Sequence, residues 1–374
     1  MARPFSVFTP ALKTELRAKN IHDPIDRLRY LRQSAAPASA ARLAAPGKWI
    51  ASLVLAGMVI PLASDAIVRT SRPLAPPRST ASQPASQIPS VWPIEQTKDY
   101  DLYSNGLRIE NEFMVANEPR SYRLINARQP LPLGPRRDQP AGIVFHTTES
   151  DQAPFEADQT HNLKRIGREL LLYVRHKRAY HFLIDRFGRV HRIVAESDAA
   201  NHAGHSVWGN SRWLYVDLNA SFLGVAFEAQ MQSPQPINQP QIHAAKVLTD
   251  MLRSKYNLPG ENCVTHAQVS VNAENMHVGW HTDWGSKFPF RELGLPNNYE
   301  QPNPGLYQLG FVFDTVYLQS TSPDLWRGLD LAETRVRETA ARQGVSVSAY
   351  RKSLQQRYRA VESALRDAEP VEEN

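Results

Sequence analysis

Cysteine is almost absent from this chain of 374 residues, which holds only Cys263. A single cysteine excludes an intramolecular disulfide and a cysteine-rich zinc finger. Glycine is also scarce, with 18 residues against 28 prolines, and this balance favours linkers over a glycine-rich phosphate-binding loop. What the chain does have is 12 histidines and a net charge of +6. The charge favours anionic surroundings such as lipid head groups, acidic wall polymers or nucleic acid.

The N-terminal quarter divides into three segments by composition. Residues 1–48 are basic and indicate a disordered, solvated cytoplasmic tail. Residues 49–68, WIASLVLAGMVIPLASDAIV, carry no charge before Asp65 and, at about 1.5 Å per residue, are close to the minimum length of a membrane span. A buried core helix and a cleaved signal peptide are the alternatives. Residues 69–95 are rich in Pro and Ser and indicate a linker.

The position of the basic residues predicts the orientation of this segment. Lys and Arg lie mostly before residue 49, so the positive-inside rule predicts a single-pass inner-membrane anchor with its N-terminus in the cytoplasm. Everything after residue 68 would then lie on the periplasmic, extracytoplasmic side.

Residues 96–300 are predicted to form the main domain, with a core at 141–290. Strand-like runs alternate there with two amphipathic helical patterns, at 157–176 and 239–256. This alternation predicts an α/β fold with a mixed central sheet flanked by helices. Residues 301–374 are predicted to be a C-terminal, largely helical extension, with two helices interrupted near Gly344.

Three residues are candidate ligands of one metal ion. His146 and His266 each end a short apolar run, and Asp283 follows in a polar loop. A catalytic zinc ion takes about three protein ligands and leaves one position for water. Because active sites are often built where strands meet loops, these positions predict a zinc site. His281 lies two residues before Asp283 and would face the same side in an extended segment.

Six segments occur in the order typical of one known family: IVFHTTE, YHFLIDRFGRVHRIV, NHAGHSVW, NASFLG, VTHAQVS and HTDWGSKFPF. Together they resemble the zinc-dependent N-acetylmuramoyl-L-alanine amidases of the type-2 class, which are related to peptidoglycan recognition proteins. The resemblance spans about residues 141–290. It implies a sheet flanked by helices, Zn2+ in a surface groove, and cleavage of the amide between the lactyl group of N-acetylmuramic acid and L-alanine.

The resemblance also implies a role for individual residues. His146, His266 and Asp283 match the zinc ligands, and Tyr180 matches an active-site tyrosine near the metal. His281 falls where related enzymes carry a lysine that stabilises the developing oxyanion.

The segment LGVAFEA departs from the family pattern. Ala226 stands where related hydrolases often carry glutamate, and Glu228, two residues later, would share its strand face. Either Glu228 is the general base or another group is. If neither holds, the domain is a non-catalytic peptidoglycan-binding module. Glu149 follows the His146 strand closely and is interpreted as part of a loop.

Three aromatic side chains have two interpretations each. Tyr180 belongs to the site or only packs on the sheet. His202 binds substrate or braces its loop, and Trp208 stacks on substrate or is buried like most aromatic residues.

The expected partners are peptidoglycan or muropeptides and, through the anchor, the inner membrane. Nucleic acid is not expected, because no aromatic–basic binding motif accompanies the positive charge. The sequence indicates no oligomeric state.

Overall fold

The computed structural model describes residues 88, 90–233, 235–279, 281–313, 317–318, 321 and 323–368. The predicted tail at 1–48 and anchor at 49–68 lie outside this part, as does most of the linker at 69–95. The described residues all belong to the second of two units, Ser79–Asn374. Within them, no helix combines the length and apolar content needed to cross a membrane.

The strands of the described residues are short and are numbered here in chain order. They are β1 (Pro93–Gln96), β2 (Tyr100–Tyr103), β3 (Arg108–Glu110), β4 (Tyr122–Arg123), β5 (Ile125–Asn126), β6 (Arg136–Arg137), β7 (Gly142–Thr147), β8 (Phe182–Ile184), β9 (Val190–Arg192), β10 (Val207–Gly209), β11 (Trp213–Val216), β12 (Phe222–Phe227), β13 (Cys263–Thr265), β14 (Val271–Asn272) and β15 (His277–Val278).

The helices are numbered in the same way. They are α1 (Thr160–Lys177), α2 (Leu218–Ser221), α3 (Gln239–Tyr256), α4 (His266–Val269), α5 (Pro304–Leu309), α6 (Pro323–Arg342) and α7 (Val347–Ala368), with short 3-10 turns at Ala157–Gln159, Gly260–Asn262 and Asn298–Glu300.

Eight strands form one central sheet in the order β1-β2-β3-β9-β8-β12-β7-β13. Strand β12 runs parallel to both β7 and β8, and β13 runs parallel to β7. The strands from β1 to β3 pair antiparallel, as do β8 and β9. The predicted mixed central sheet flanked by helices is therefore confirmed.

Helices cover both faces of the sheet. Phe145 and Val225 pack in one core cluster with Leu248 of α3. Their neighbours along the strands point the other way, so Ala226 packs in a second cluster with Leu171 of α1. This alternation is the period-two pattern of a strand, and it puts the α1 face of β7 and β12 beside the site described below.

Local sequence determines where α3 begins and ends. Asn238 and Gln241 form a capping box, with Pro240 in the first turn. The helix ends at Asn257 in the left-handed conformation, before Pro259. The predicted helix at 239–256 is therefore confirmed, whereas the helix predicted at 157–176 begins at Thr160, after a 3-10 turn.

The two ends of the described chain join the same core. Strand β1 begins at Pro93, inside the predicted linker, and with β2 and β3 forms one edge of the sheet. The two predicted C-terminal helices are present as α6 and α7, and Leu329 and Tyr358 on them belong to the main core cluster.

Candidate active site

Strand register brings two histidines together. Strands β7 and β13 are parallel neighbours in which Thr265 pairs with Phe145. The residue that follows each of them is a histidine, His146 on β7 and His266 at the start of α4, and their rings lie 4.5 Å apart between centroids. Both side chains stand at the carboxyl ends of parallel strands, where open α/β sheets bind ligands.

A loop carries Asp283 to the same point. The backbone N–H of Ala267 donates to the Asp283 carbonyl at 3.1 Å, and the next residue, Trp284, is buried with a positive φ of 55°. The Tyr299 hydroxyl donates to the Trp284 carbonyl at 2.5 Å. These contacts hold the backbone of Asp283 and the following Trp284 against the core.

The three side chains converge with their metal-binding atoms facing one another. The Asp283 carboxylate lies 3.2 Å from Nδ1 of His146 and 2.9 Å from Nδ1 of His266. One ligand atom from each residue lies within 4.8 Å of the others. Two imidazole nitrogens and a carboxylate are a donor set that zinc prefers.

Protonation also suits a cation. Burial, together with the neighbouring His266, lowers the pKa of His146 to about 4, so this imidazole is neutral near pH 7. Burial would raise the pKa of Asp283, but His266 and His146 outweigh it and hold that pKa far below its usual range. A neutral imidazole and an ionised carboxylate are the forms that bind metal, so the residues fit zinc.

His202 contacts the His146 ring on the side opposite to Asp283. Its Nδ1 lies 3.1 Å from Nε2 of His146, and its Nε2 lies 3.3 Å from the Phe222 carbonyl. If Nδ1 of His146 binds metal, its Nε2 carries the proton and donates a hydrogen bond to Nδ1 of His202. The Nε2–H of His202 then donates a hydrogen bond to the Phe222 carbonyl. Gly224 makes room for this ring, because a Cβ there would lie 2.6 Å from it.

The three converging residues open onto a cavity of about 600 Å³ that Tyr180 and His281 also line. The Tyr180 ring lies 5.1 Å from the His146 ring. Burial, with the nearby Asp283 charge, raises the pKa of Tyr180, so its hydroxyl remains a donor. The His281 ring stacks on His266 at 4.4 Å, and burial lowers the pKa of His281, so it is neutral near pH 7.

Not every residue singled out from the sequence reaches this cavity. The seven that line it or converge on it are His146, Tyr180, His202, His266, His281, Asp283 and, unexpectedly, Glu149. Trp208 is buried, its indole N–H donates to Asn262 at 3.2 Å, and it does not line the cavity. Glu228 is also buried, and its carboxylate accepts from the Arg186 backbone N–H at 3.1 Å, away from the cavity lining.

The strand position at which a glutamate would be expected from the family pattern is occupied by Ala226 and has no carboxylate. Ala226 pairs with His146 across β12 and β7 and is fully buried among apolar side chains of α1. The signal that Glu149 lines the cavity was present in the sequence only as its nearness to His146.

Comparison with known proteins agrees with this site. Residues 136–286 match the model of the Amidase_2 family, N-acetylmuramoyl-L-alanine amidase. No curated protein matches the chain at a significant level.

Several solved structures are similar to parts of the chain. AmpDH3 from Pseudomonas aeruginosa, in complex with anhydromuramic pentapeptide, is 23% identical over 41% of this chain and 58% of its own, with a TM-score of 0.32. AmiD from E. coli, in complex with the substrate anhydro-N-acetylmuramic acid-L-Ala-D-gamma-Glu-L-Lys, is 20% identical over 53% of this chain and 65% of its own, with a TM-score of 0.32. The amidase LysC from Clostridium intestinale is 21% identical over 48% of this chain and 93% of its own, with a TM-score of 0.27.

The chain thus spans less than two thirds of the AmpDH3 and AmiD chains, and the family assignment rests on the matched segment. That segment contains His146, His266 and Asp283. Residues 136–286 form a domain of the N-acetylmuramoyl-L-alanine amidase family, as the sequence predicted.

Proposed function

We propose that this protein is a zinc-dependent peptidoglycan hydrolase that cleaves the amide between N-acetylmuramic acid and L-alanine. The observation that carries the proposal is the convergence of His146, His266 and Asp283 within a domain of the amidase family. An amide carbonyl is a poor electrophile and water a poor nucleophile near pH 7. Zinc at such sites polarises the carbonyl and makes water more acidic.

The protein's own side chains supply the remaining functions. The neutral His281 imidazole, stacked on His266, donates a hydrogen bond to the carbonyl oxygen as negative charge builds there. The protonated Tyr180 hydroxyl is a second donor at the same cavity. His202 keeps the His146 ring in one orientation and tautomer.

The substrate class follows from the family and the cavity. A volume of about 600 Å³ lies within the usual range of a small-molecule site, about 300–1,000 Å³. It therefore suits a muramyl–peptide junction, whether that junction belongs to intact wall or to a released muropeptide.

The test is digestion of purified peptidoglycan by the full chain, followed by detection of new amino termini on L-alanine. We expect such termini, their loss with a chelator, and their return with added zinc. Binding to peptidoglycan without any product would instead identify a non-catalytic binding module, the alternative that Ala226 supports.

We further propose that residues 49–68 anchor the protein in the inner membrane, with the catalytic domain on the periplasmic side. The apolar composition of this segment and the basic residues before it support the proposal. A reporter fused after residue 95 should be active only outside the cytoplasm. Activity of that fusion in the cytoplasm would refute the proposed orientation.

A further inference from the structure

Hydrolysis at this site needs a group that accepts the proton of water, and the sheet does not supply it beside His146. The neighbouring position on β12 is Ala226, which is buried among apolar side chains. Glu228, two residues later, lies on the β8 side of β12, where its carboxylate accepts from the Arg186 backbone N–H. The metal-binding residues stand over β7 and β13, on the other side of β12.

Among the described residues, the carboxylates that line the cavity are those of Glu149 and Asp283. The backbone of Glu149 is held in the left-handed region, with a φ of 48°, and its N–H donates to the Ala229 carbonyl at 3.0 Å. A residue other than glycine in that region typically stores about 1–3 kcal/mol of strain, and such residues cluster at functional sites. This backbone conformation and the hydrogen bond to Ala229 hold Glu149 at the cavity.

Within the part of the chain that the structure describes, the Glu149 carboxylate is held through one of its two oxygens, Oε1. Oε1 accepts from the Thr147 hydroxyl at 2.7 Å and from the Met231 backbone N–H at 2.9 Å. Among the residues that the structure describes, none donates a hydrogen bond to Oε2. The side chain is therefore oriented while one oxygen is left for a ligand or water.

We propose that Glu149 is the general base of this site and replaces the carboxylate missing at Ala226; the inference rests on the proposed function. Water forms a bond to the amide carbon, the carbonyl π electrons move to its oxygen, and the water proton moves to Oε2 of Glu149. The carbonyl then re-forms, and the C–N bond breaks with its electron pair on nitrogen. That nitrogen takes the proton from Glu149, which gives a lactyl carboxyl group and a free amine on L-alanine.

The other titratable groups of the cavity fit this reaction less well. Burial raises the pKa of Tyr180, so its hydroxyl donates rather than accepts. His281 stacks on His266, which suits a donor to the oxygen of the carbonyl. Asp283 faces both metal-binding histidines and is occupied there.

The test compares Glu149→Gln and Glu149→Ala with wild type in the full chain, using a soluble muropeptide as the probe. We expect Glu149→Gln to lose roughly 10²–10⁴-fold in kcat, the usual contribution of a general acid–base group, with little change in KM and with zinc content retained. Formate should restore part of the turnover of Glu149→Ala. Glu274→Gln is the matched control, because Glu274 is exposed and lies outside the cavity lining.

Glu228→Gln is the rival arm of the same experiment. A large loss in Glu228→Gln together with wild-type turnover in Glu149→Gln would overturn the proposal and return the role to Glu228. Loss of zinc from Glu149→Gln, or no response of Glu149→Ala to formate, would show a structural role and also overturn it. If wild type itself is inactive, the proposed function fails as well; if wild type is active and Glu149→Gln is equally active, only this inference fails.

Discussion

Removing the His202 ring is expected to weaken zinc binding without touching a ligand. In His202→Ala, Nε2 of His146 loses the acceptor that lies 3.1 Å away. Groups that orient a metal-binding histidine typically contribute about 10–100-fold in metal affinity, which corresponds to about 1.4–2.8 kcal/mol. We expect a loss in this range, because the His202 ring is buried and lies against the His146 ring that it orients.

Two further variants test whether zinc binding depends on the orientation of the His146 ring or only on the space that is left when the His202 ring is removed. His202→Gln retains a side-chain oxygen that can accept from His146, so it should recover part of the affinity. Gly224→Ala keeps the imidazole, but its added methyl group would lie 2.6 Å from the His202 ring, so it should weaken zinc binding as His202→Ala does.

The assay is competition for zinc between the protein and a chromophoric chelator at fixed pH. Thermal unfolding of the zinc-free proteins serves as the control for folding. If His202→Ala bound zinc as tightly as wild type but lost affinity for muropeptide, our reasoning would be refuted, and His202 would be a substrate-binding residue.

The remaining predictions concern roles, stability and pH. Asp283→Ala should lose zinc and activity together, whereas His281→Ala should keep zinc and lose about 10²–10³-fold in turnover, as expected for an oxyanion donor; metal analysis with kinetics checks both, and the reverse pattern would exchange the two roles. Arg192→Leu removes the guanidinium that pairs with the buried carboxylates of Asp101 and Glu196. This change should lower the free energy of unfolding by about 3–5 kcal/mol, and a urea unfolding curve with no destabilisation would contradict this. Burial raises the pKa of Glu228 in the folded protein. The protonated Glu228 side chain therefore adds to the free energy of unfolding at pH values below its pKa in the unfolded chain. This contribution is lost as pH rises through its pKa in the folded protein, because the buried side chain then ionises. Glu228→Gln should therefore raise the melting temperature more at mildly alkaline pH than at acidic pH, and an equal effect at both would count against a buried, ionised Glu228.

The convergence of His146 and His266 could be predicted in part, because each follows a strong local signal. The apolar runs before His146 and His266 indicate strand ends, and the resemblance to a family supplied Asp283 in a loop with no pattern of its own. What these runs do not contain is the pairing of Thr265 with Phe145, which brings the two histidines together. Register between parallel strands depends on packing of the whole sheet rather than on either strand alone.

The alternation of side chains along a strand predicts the position of Ala226 but not the positions of the Glu228 and Glu149 carboxylates. It correctly puts Ala226 on the face of His146, but at the end of β12 the Glu228 carboxylate turns to a backbone N–H of the neighbouring hairpin. The position of Glu149 depends on a left-handed residue that is not glycine, and residue type gives little indication of such a conformation.

The edge strand β1 could not be predicted from the sequence. All four residues of β1 are exposed, so the strand shows no alternation of apolar and polar residues. Its partner β2 buries only Asp101 and Tyr103. Short edge strands of this kind are defined by pairing with a neighbour, so the sequence did not indicate that a strand begins at Pro93, inside the predicted linker.

We propose that the site formed by His146, His266 and Asp283 hydrolyses the bond between N-acetylmuramic acid and L-alanine. Digestion of a muropeptide in heavy-oxygen water, followed by mass spectrometry, locates the bond that is cut. If this proposal is right, the heavy oxygen will be in the lactyl carboxyl group of the muramyl product, and the peptide will be unlabelled with a free L-alanine amine. Heavy oxygen in a peptide carboxyl group or at a sugar carbon would contradict it.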